Sequence, residues 1–290
     1  MKQAFLTLLM SILPRRTLSH WVGRLVHHVF PPPLAKLSVQ LFARLYHLNM
    51  AEAEFPLEHY PSIGALFVRR LKPGARPIGA GPVHPADALI TESGAIAAHT
   101  LVQCKGRDYT LSELLVRAQV AQRFEHGSFV TYYLCPTDYH RVHAPVDGEV
   151  VWSCHVPGER WPVNQWSVQS VARLFCLNER VITLMRTPQG QVAVVLVAAT
   201  NVGNITMSYD ATIATTGRSP ARPITEQYYQ PPKPLRRGDE LGIFHMGSTV
   251  IVLFEPGMLP IDVGTLRGAK VRMGEALCGQ QPAGRDGPRD

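Results

Sequence analysis

The chain has 290 residues, 46% of them hydrophobic and 18% charged, proportions that suit one large packed domain or two small ones and exclude a wholly disordered chain. Its five cysteines, Cys104, Cys135, Cys154, Cys176 and Cys278, are odd in number and include no CxxC pair, so they read as reduced thiols of a cytosol-facing protein. The net charge of +7 gathers at one end. Residues 1–50 carry Lys2, Arg15, Arg16, Arg24, Lys36 and Arg44 with no Asp or Glu, while the remainder is nearly neutral, which argues against a nucleic-acid-binding domain.

Residues 4–13, AFLTLLMSIL, look like the apolar part of a signal peptide, but Pro14 and Arg15-Arg16 follow where a small-residue cleavage site would stand. Export is therefore not expected. Leu18, Trp21, Val22, Leu25, Val26 and Val29 then fall on one helical face, with Ser19, Arg24, His27 and His28 opposite. After the prolines at 31–33, Leu34, Leu37, Leu41, Leu45 and Leu48 give a second helical stripe with Lys36 and Arg44 off it. No apolar run approaches the ~20 residues of a spanning helix. Two readings of these helices stand: packing on the protein's own core, or lying on an anionic bilayer surface, which the lack of acids favours slightly.

From about residue 80 the texture becomes β-rich. Strands are expected at 128–134, 148–153, 180–186, 191–199 and 248–254, each bounded by turn residues. One helix interrupts them, opening on the capping-box pair Thr110 and Glu113 and running through Leu111, Leu114, Leu115 and Ala118. The segments HPADALI (84–90) and HAPVDGEVV (143–151) echo one another as turns that enter strands. The tail, 279–290, has nothing to bury and reads as disordered. The fold class expected is α+β: amphipathic helices over 1–50, then a β-rich, mainly antiparallel core with few helices over 51–278.

The candidates for nucleophilic chemistry are Ser248, the pair His140 and His143 in CPTDYHRVHAP, and acids such as Asp87, Asp138 and Asp147. A serine needs a base to take its proton and a third group to fix that base's tautomer, but the three residue types alone are a weak signal. The H-x-x-H spacing could also bind metal, yet it lies in a proline-flanked loop with no nearby cysteine ligand, so no metal is expected. Gly247 before the apolar run TVIVLF is unusual, because glycine weakens a strand and marks a special backbone geometry.

The run RRGDELGIFHMGSTVIVLFEPG (236–257) resembles the C-terminal signature of phosphatidylserine decarboxylases, in which a Leu-Gly-Ser-Thr motif is both processing site and source of the cofactor. FVRRLKPGARPI (67–78), HPADALITESG (84–94), CKGRDYTLSELL (104–115), YLCPTDYHRVHAPVDG (133–148), LFCLNERV (174–181) and VAATNVGNI (197–205) agree in order. The chain departs in Met246, where the family usually has Leu, a volume-conserving swap, and in Ala88, where many members have Gly. Residues 210–234 match poorly.

The resemblance implies a self-processing proenzyme. Ser248 would attack the Gly247 carbonyl, and an N-to-O shift and elimination would split the chain into a β chain, 1–247, and an α chain, 248–290. The α chain would begin with a pyruvoyl group (covalent pyruvate) made from Ser248, the Schiff-base centre for the serine head group. By the same resemblance His143 takes the proton of Ser248, Asp87 orients and stabilises the imidazolium, and His140 serves the decarboxylation. The implied reaction turns phosphatidylserine into phosphatidylethanolamine and carbon dioxide, without metal or pyridoxal phosphate. The implied setting is the cytoplasmic side of the cell membrane, as a peripheral enzyme bound to an anionic surface, with the two chains paired and a homodimer as a further option. Two alternatives come from other classes: a non-catalytic lipid-binding β module, and a serine hydrolase using Ser248, His143 and Asp87, which the absence of a G-x-S-x-G elbow disfavours.

Overall fold

The computed structural model describes residues 15–97, 99–104, 107–200, 204–215, 223–245, 248–259 and 266–277, without the side chains of 15–20 and 248. The stretch 4–13, Met246, Gly247, Cys278 and the tail 279–290 lie outside the described residues. Two long helices, α1 (Arg15–His27) and α2 (Pro32–Leu45), precede the short helix α3 (Ile63–Phe67). Pro32 and Pro33 open α2 in its first turn, where a missing N–H costs nothing.

The leucine stripe of α2 faces outward. Ala35, Val39 and Ala43 are its buried face, and Val39 and Ala43 form a small apolar cluster with Tyr60 and Leu66. Small side chains let the helix approach closely. The bulky residues Trp21, Leu25 and Val29 of the first segment and Leu34, Leu37, Leu41 and Leu45 of the second are left 55–67% exposed. These seven side chains are therefore not packed on the protein's own core, whereas Leu48, at the end of the second stripe, rests on the small cluster. Helix α1 is docked by its C-terminal end, where a Cβ on Gly64 of α3 would lie 2.2 Å from His27 Nδ1, an approach that glycine permits.

Strands β1 (Ala88–Ala95), β2 (Thr100–Cys104) and β3 (Arg107–Thr110) lead to helices α4 (Leu111–Leu115) and α5 (Ala118–Arg123). The capping box of Thr110 and Glu113 is present. The single helix expected through Ala118 is instead two, because Val116 takes a left-handed conformation, φ 55°. Leu111, Leu114 and Leu115 are fully buried before that break, so the core fixes the chain's direction over local propensity.

The chain continues through β4 (Ser128–Leu134), β5 (Arg141–His143), β6 (Gly148–Val156), α6 (Gln165–Ser170), α7 (Leu174–Leu177), β7 (Arg180–Thr187) and β8 (Gly190–Ala198). It ends with β9 (Ile205–Met207), β10 (Thr225–Leu235), β11 (Glu240–Phe244), β12 (Ser248–Phe254) and β13 (Lys270–Val271). Eight strands form one sheet in the order β10-β6-β7-β8-β12-β4-β1-β13, with every pair antiparallel. The fold is thus α+β with a mainly antiparallel core. Residues 192–198 of β8 and 250–254 of β12 are fully buried, which accounts for their near-continuous β-branched and apolar composition.

A second sheet, β5-β11-β9, and the two echoed turns complete the site's frame. The turns are hydrogen-bonded to each other, Val83 N to Pro145 O at 2.9 Å and His143 N to Pro85 O at 2.8 Å. Each then enters its own strand, β1 and β6.

Candidate active site

One stretch of backbone organises the site. β4 pairs with β12 so that Leu134 opposes Ser248, and β5 pairs with β11 so that Arg141 opposes Ile243. Residues 135–140 link the first members of these pairs, and residues 245–247 link the second. The histidine-bearing loop thus begins and ends beside residues paired with the two strands, β12 and β11, that flank the expected scission point. Phe244 N donates to His140 O at 3.0 Å, which seals one end of this juxtaposition.

The loop is held by its own side chains. Asp138 Oδ2 accepts from Cys135 N at 2.7 Å, while Asp138 N donates to Cys135 O at 2.9 Å. Its carbonyl accepts from His140 Nδ1 at 2.9 Å. That bond puts the ring proton on Nδ1 and leaves Nε2 with a lone pair. His140 Nε2 is buried and has no hydrogen-bond partner. The ring lies 3.9 Å from the Phe67 ring, and burial pushes its pKa down to about 3, so the imidazole is neutral.

His143 is arranged differently. Its Nδ1 donates to Gly238 O at 2.7 Å, so Nε2 accepts from the Tyr139 hydroxyl at 3.1 Å. Burial lowers the pKa of this imidazole, the Gly238 carbonyl opposing the shift. Tyr139 is itself pushed up to about 12 by burial, which keeps it a neutral donor.

Asp87 does not hold His143 by a hydrogen bond, contrary to the arrangement expected. Its carboxylate is gripped by Arg76 through both oxygens and accepts from Met273 N at 2.9 Å. Arg76 also reaches Glu52 at 2.9 Å. The carboxylate still acts on His143 through space, favouring its protonated form. The tautomer is fixed by the Gly238 carbonyl, because the turn before β11 delivers that oxygen directly to Nδ1. Asp147, another candidate acid, accepts from Arg237 N at 2.9 Å and shapes that same turn.

Sequence reasoning missed Tyr139, Arg76 and His245. Tyr139 stands inside the histidine motif and could have been noticed there; Arg76 carried no local signal. His245 is the last described residue before the linker. Its Nε2 bonds Thr206 Oγ1 at 3.0 Å, and burial takes its pKa down to about 4. The His27 ring from α1 lies 5.9 Å away and hydrogen-bonds the His245 backbone. The N-terminal helices thus touch the segment that leads to Ser248.

Ser248 opens β12, its backbone paired with Leu134 on one side and Ala198 on the other. Among the described residues no three His, Cys, Asp or Glu side chains gather as metal ligands.

An antiparallel fold that buries two neutral imidazoles, one in a loop anchored between its strands and one at the end of a strand, has the make-up of an enzyme built for proton transfer. The chain belongs to the phosphatidylserine decarboxylase family, whose model matches residues 63–279. It is 43% identical over 273 residues to the phosphatidylserine decarboxylase proenzyme of Anaeromyxobacter sp. (strain K), covering 93% of this chain and 96% of that protein. Similar proteins carrying the same name occur in Myxococcus xanthus, 41% identical over 93% of this chain and 96% of its own length, and in Brevibacillus brevis, 38% identical over 91% and 94%.

Proposed function

We propose that this protein is a self-processing phosphatidylserine decarboxylase that works at an anionic membrane surface through a pyruvoyl group made from Ser248. The observation that carries the reading is the anchoring of the 135–140 loop at both ends, Leu134 opposite Ser248 and Arg141 opposite Ile243, with the His140 lone pair buried and unpartnered among the described residues.

In the processing step the Ser248 hydroxyl adds to the Gly247 carbonyl carbon, its proton passing to His143 Nε2. That nitrogen carries no proton of its own, because Gly238 holds the other tautomer, so it accepts one once the Tyr139 hydroxyl bonded to it is displaced. The C–N bond then breaks in favour of an ester. Removal of the Ser248 Cα proton expels the Gly247 carboxylate, and water releases ammonia from the new terminus. The pyruvoyl group supplies an electrophilic carbonyl that binds the substrate amine and draws in the electrons left by departing carbon dioxide. His140, neutral and with an open acceptor, receives a hydrogen bond from the incoming head group and handles the proton at the reacting carbon. The two chains, 1–247 and 248–290, stay together as a heterodimer through the ladders on both sides of β12.

The outward face of the first two helices supports the membrane reading. A stripe of this size, flanked by basic residues and free of acids, fits an interfacial helix pair, and no helix among the described residues is long and apolar enough to cross. The test is mass spectrometry of untagged protein together with carbon dioxide release from phosphatidylserine vesicles. The expected result is two fragments divided at Gly247-Ser248, the smaller with a blocked amino terminus, and a single inert chain for Ser248→Ala. Intact wild-type chain with no gas release would refute the reading.

A further inference from the structure

Among the described residues four arginines are buried, Arg69, Arg141, Arg160 and Arg180, and three of them have evident partners. Arg141 pairs with Glu240 and Arg160 with Glu179 at 3.1 Å. Arg180 donates to the carbonyls of Leu114, Cys176, Asn178 and Glu113. Arg69, only 5% exposed, makes one long bond among the described residues, Nη2 to Thr137 O at 3.3 Å, while its Nε and Nη1 have no partner there. An unpaired guanidinium kept from water is costly unless an anion arrives to meet it.

Arg69 lines a cavity of about 440 Å³ whose wall also includes Thr137, Asp138 and Tyr139 of the histidine loop. The neighbouring Arg76 is already neutralised by Asp87 and Glu52. Arg69 stands two residues after Phe67, whose ring lies tilted against His140, and its charge is felt by the His140 imidazole. Two unpartnered polar features thus occur in one neighbourhood, a forked donor on Arg69 and an acceptor on His140. A head group carrying an anion beside an ammonium would satisfy both.

We propose that Arg69 is an anion subsite that binds the phosphodiester of the lipid head group; this rests on the decarboxylase reading above. The substrate has two anions, and the chemistry chooses between them. An arginine clamped on the carboxylate would stabilise the ground state more than a transition state in which that charge is leaving, and would slow the reaction. The phosphodiester keeps its charge throughout, so a bidentate guanidinium there strengthens binding without opposing the chemistry.

The experiment uses the processed protein and its Arg69→Gln and Arg69→Lys variants. It measures the cleaved fraction, KM and kcat on short-chain phosphatidylserine, and direct binding of glycerophosphoethanolamine, which has the phosphodiester but no carboxylate. Arg69→Gln is expected to leave processing intact, raise KM about tenfold with kcat little changed, and weaken glycerophosphoethanolamine binding by the same factor, while Arg69→Lys recovers part of both. Inorganic phosphate should compete weakly, as an anion lacking the amine. A rise in kcat alongside the raised KM would place Arg69 at the carboxylate, and a fall in kcat at unchanged KM would place it on the reacting atoms; either would overturn the proposal. So would unchanged glycerophosphoethanolamine affinity in Arg69→Gln, or, should that variant fail to fold, in Arg69→Lys. A wild-type protein that binds glycerophosphoethanolamine through Arg69 yet releases no carbon dioxide would instead refute the decarboxylase reading and leave the subsite standing.

Discussion

The Tyr139 hydroxyl occupies the unprotonated nitrogen of His143, donating to Nε2 at 3.1 Å. In the proposed processing step that lone pair is released before it accepts a proton from Ser248. Replacing Tyr139 with Phe deletes the competing donor and keeps the ring, whose centroid lies 5.6 Å from the imidazole. A neutral intramolecular hydrogen bond is worth about 1 kcal/mol net. Removing it from the uncleaved state lowers the barrier by that much, or about fivefold in rate. Because the bond also favours the neutral imidazole, its loss raises the basicity of His143, so the acid limb of the processing profile should move to higher pH. The assay follows newly made chain on a denaturing gel, scoring the fraction cut at 247/248 against time at several pH values, with a melting curve to confirm the fold. Slower cleavage in Tyr139→Phe, with stability unchanged, would show that the phenol carries the proton rather than obstructing it, and would refute the assignment.

Two further outcomes follow from the same geometry. Replacing both Leu37 and Leu41 with Asp should weaken binding to phosphatidylserine vesicles ~30-fold or more, since each loses about 1 kcal/mol or more of apolar contact and adds a repelled charge. The melting temperature should not move, because these side chains are 61% and 63% exposed; a large drop would show that they are core residues. His84, buried against Tyr132 at 3.0 Å, has its pKa lowered by desolvation from 6.5 to about 4. Its neutral form is the folded one, so its contribution is complete above the unfolded pKa and is lost as pH falls from 6.5 toward 4, roughly 3 kcal/mol at most. His84→Gln should flatten the stability profile measured by denaturant titration across that window, and an unchanged slope would contradict the cause.

The strands were readable because β-branched runs end at Gly, Pro and Asn whatever the surroundings. The expected 128–134 and 248–254 match β4 and β12 residue for residue. Thr110 and Glu113 were readable for the same reason, since a cap needs only its own turn. Val116 was not, because no local rule puts a β-branched residue in the left-handed region. The direction of the α2 stripe was hidden by a second, smaller face: periodicity marks Leu37 and Leu41 as apolar neighbours but cannot say that Ala35, Val39 and Ala43 will turn inward instead. At the site, His140 and His143 were legible from their motif. The partners of Asp87 come from Arg76 and from the Met273 amide, 186 positions away, and such pairings exist only once the sheet has closed.

The place of β12 has a consequence for the order of biosynthesis. It separates two groups of strands, β10-β6-β7-β8 and β4-β1-β13, that have no shared ladder without it. Yet its residues follow those of every other strand but β13 in the chain. While the ribosome is still making the first 247 residues, the halves have no seam, and such long-range closure is slow. Leu134, which opens the histidine loop, cannot meet Ser248 until β12 itself has been made. A chain that ends early or joins its halves badly has no aligned bond to cut. Scission would then act as a completeness check, in which only a correctly finished molecule arms itself.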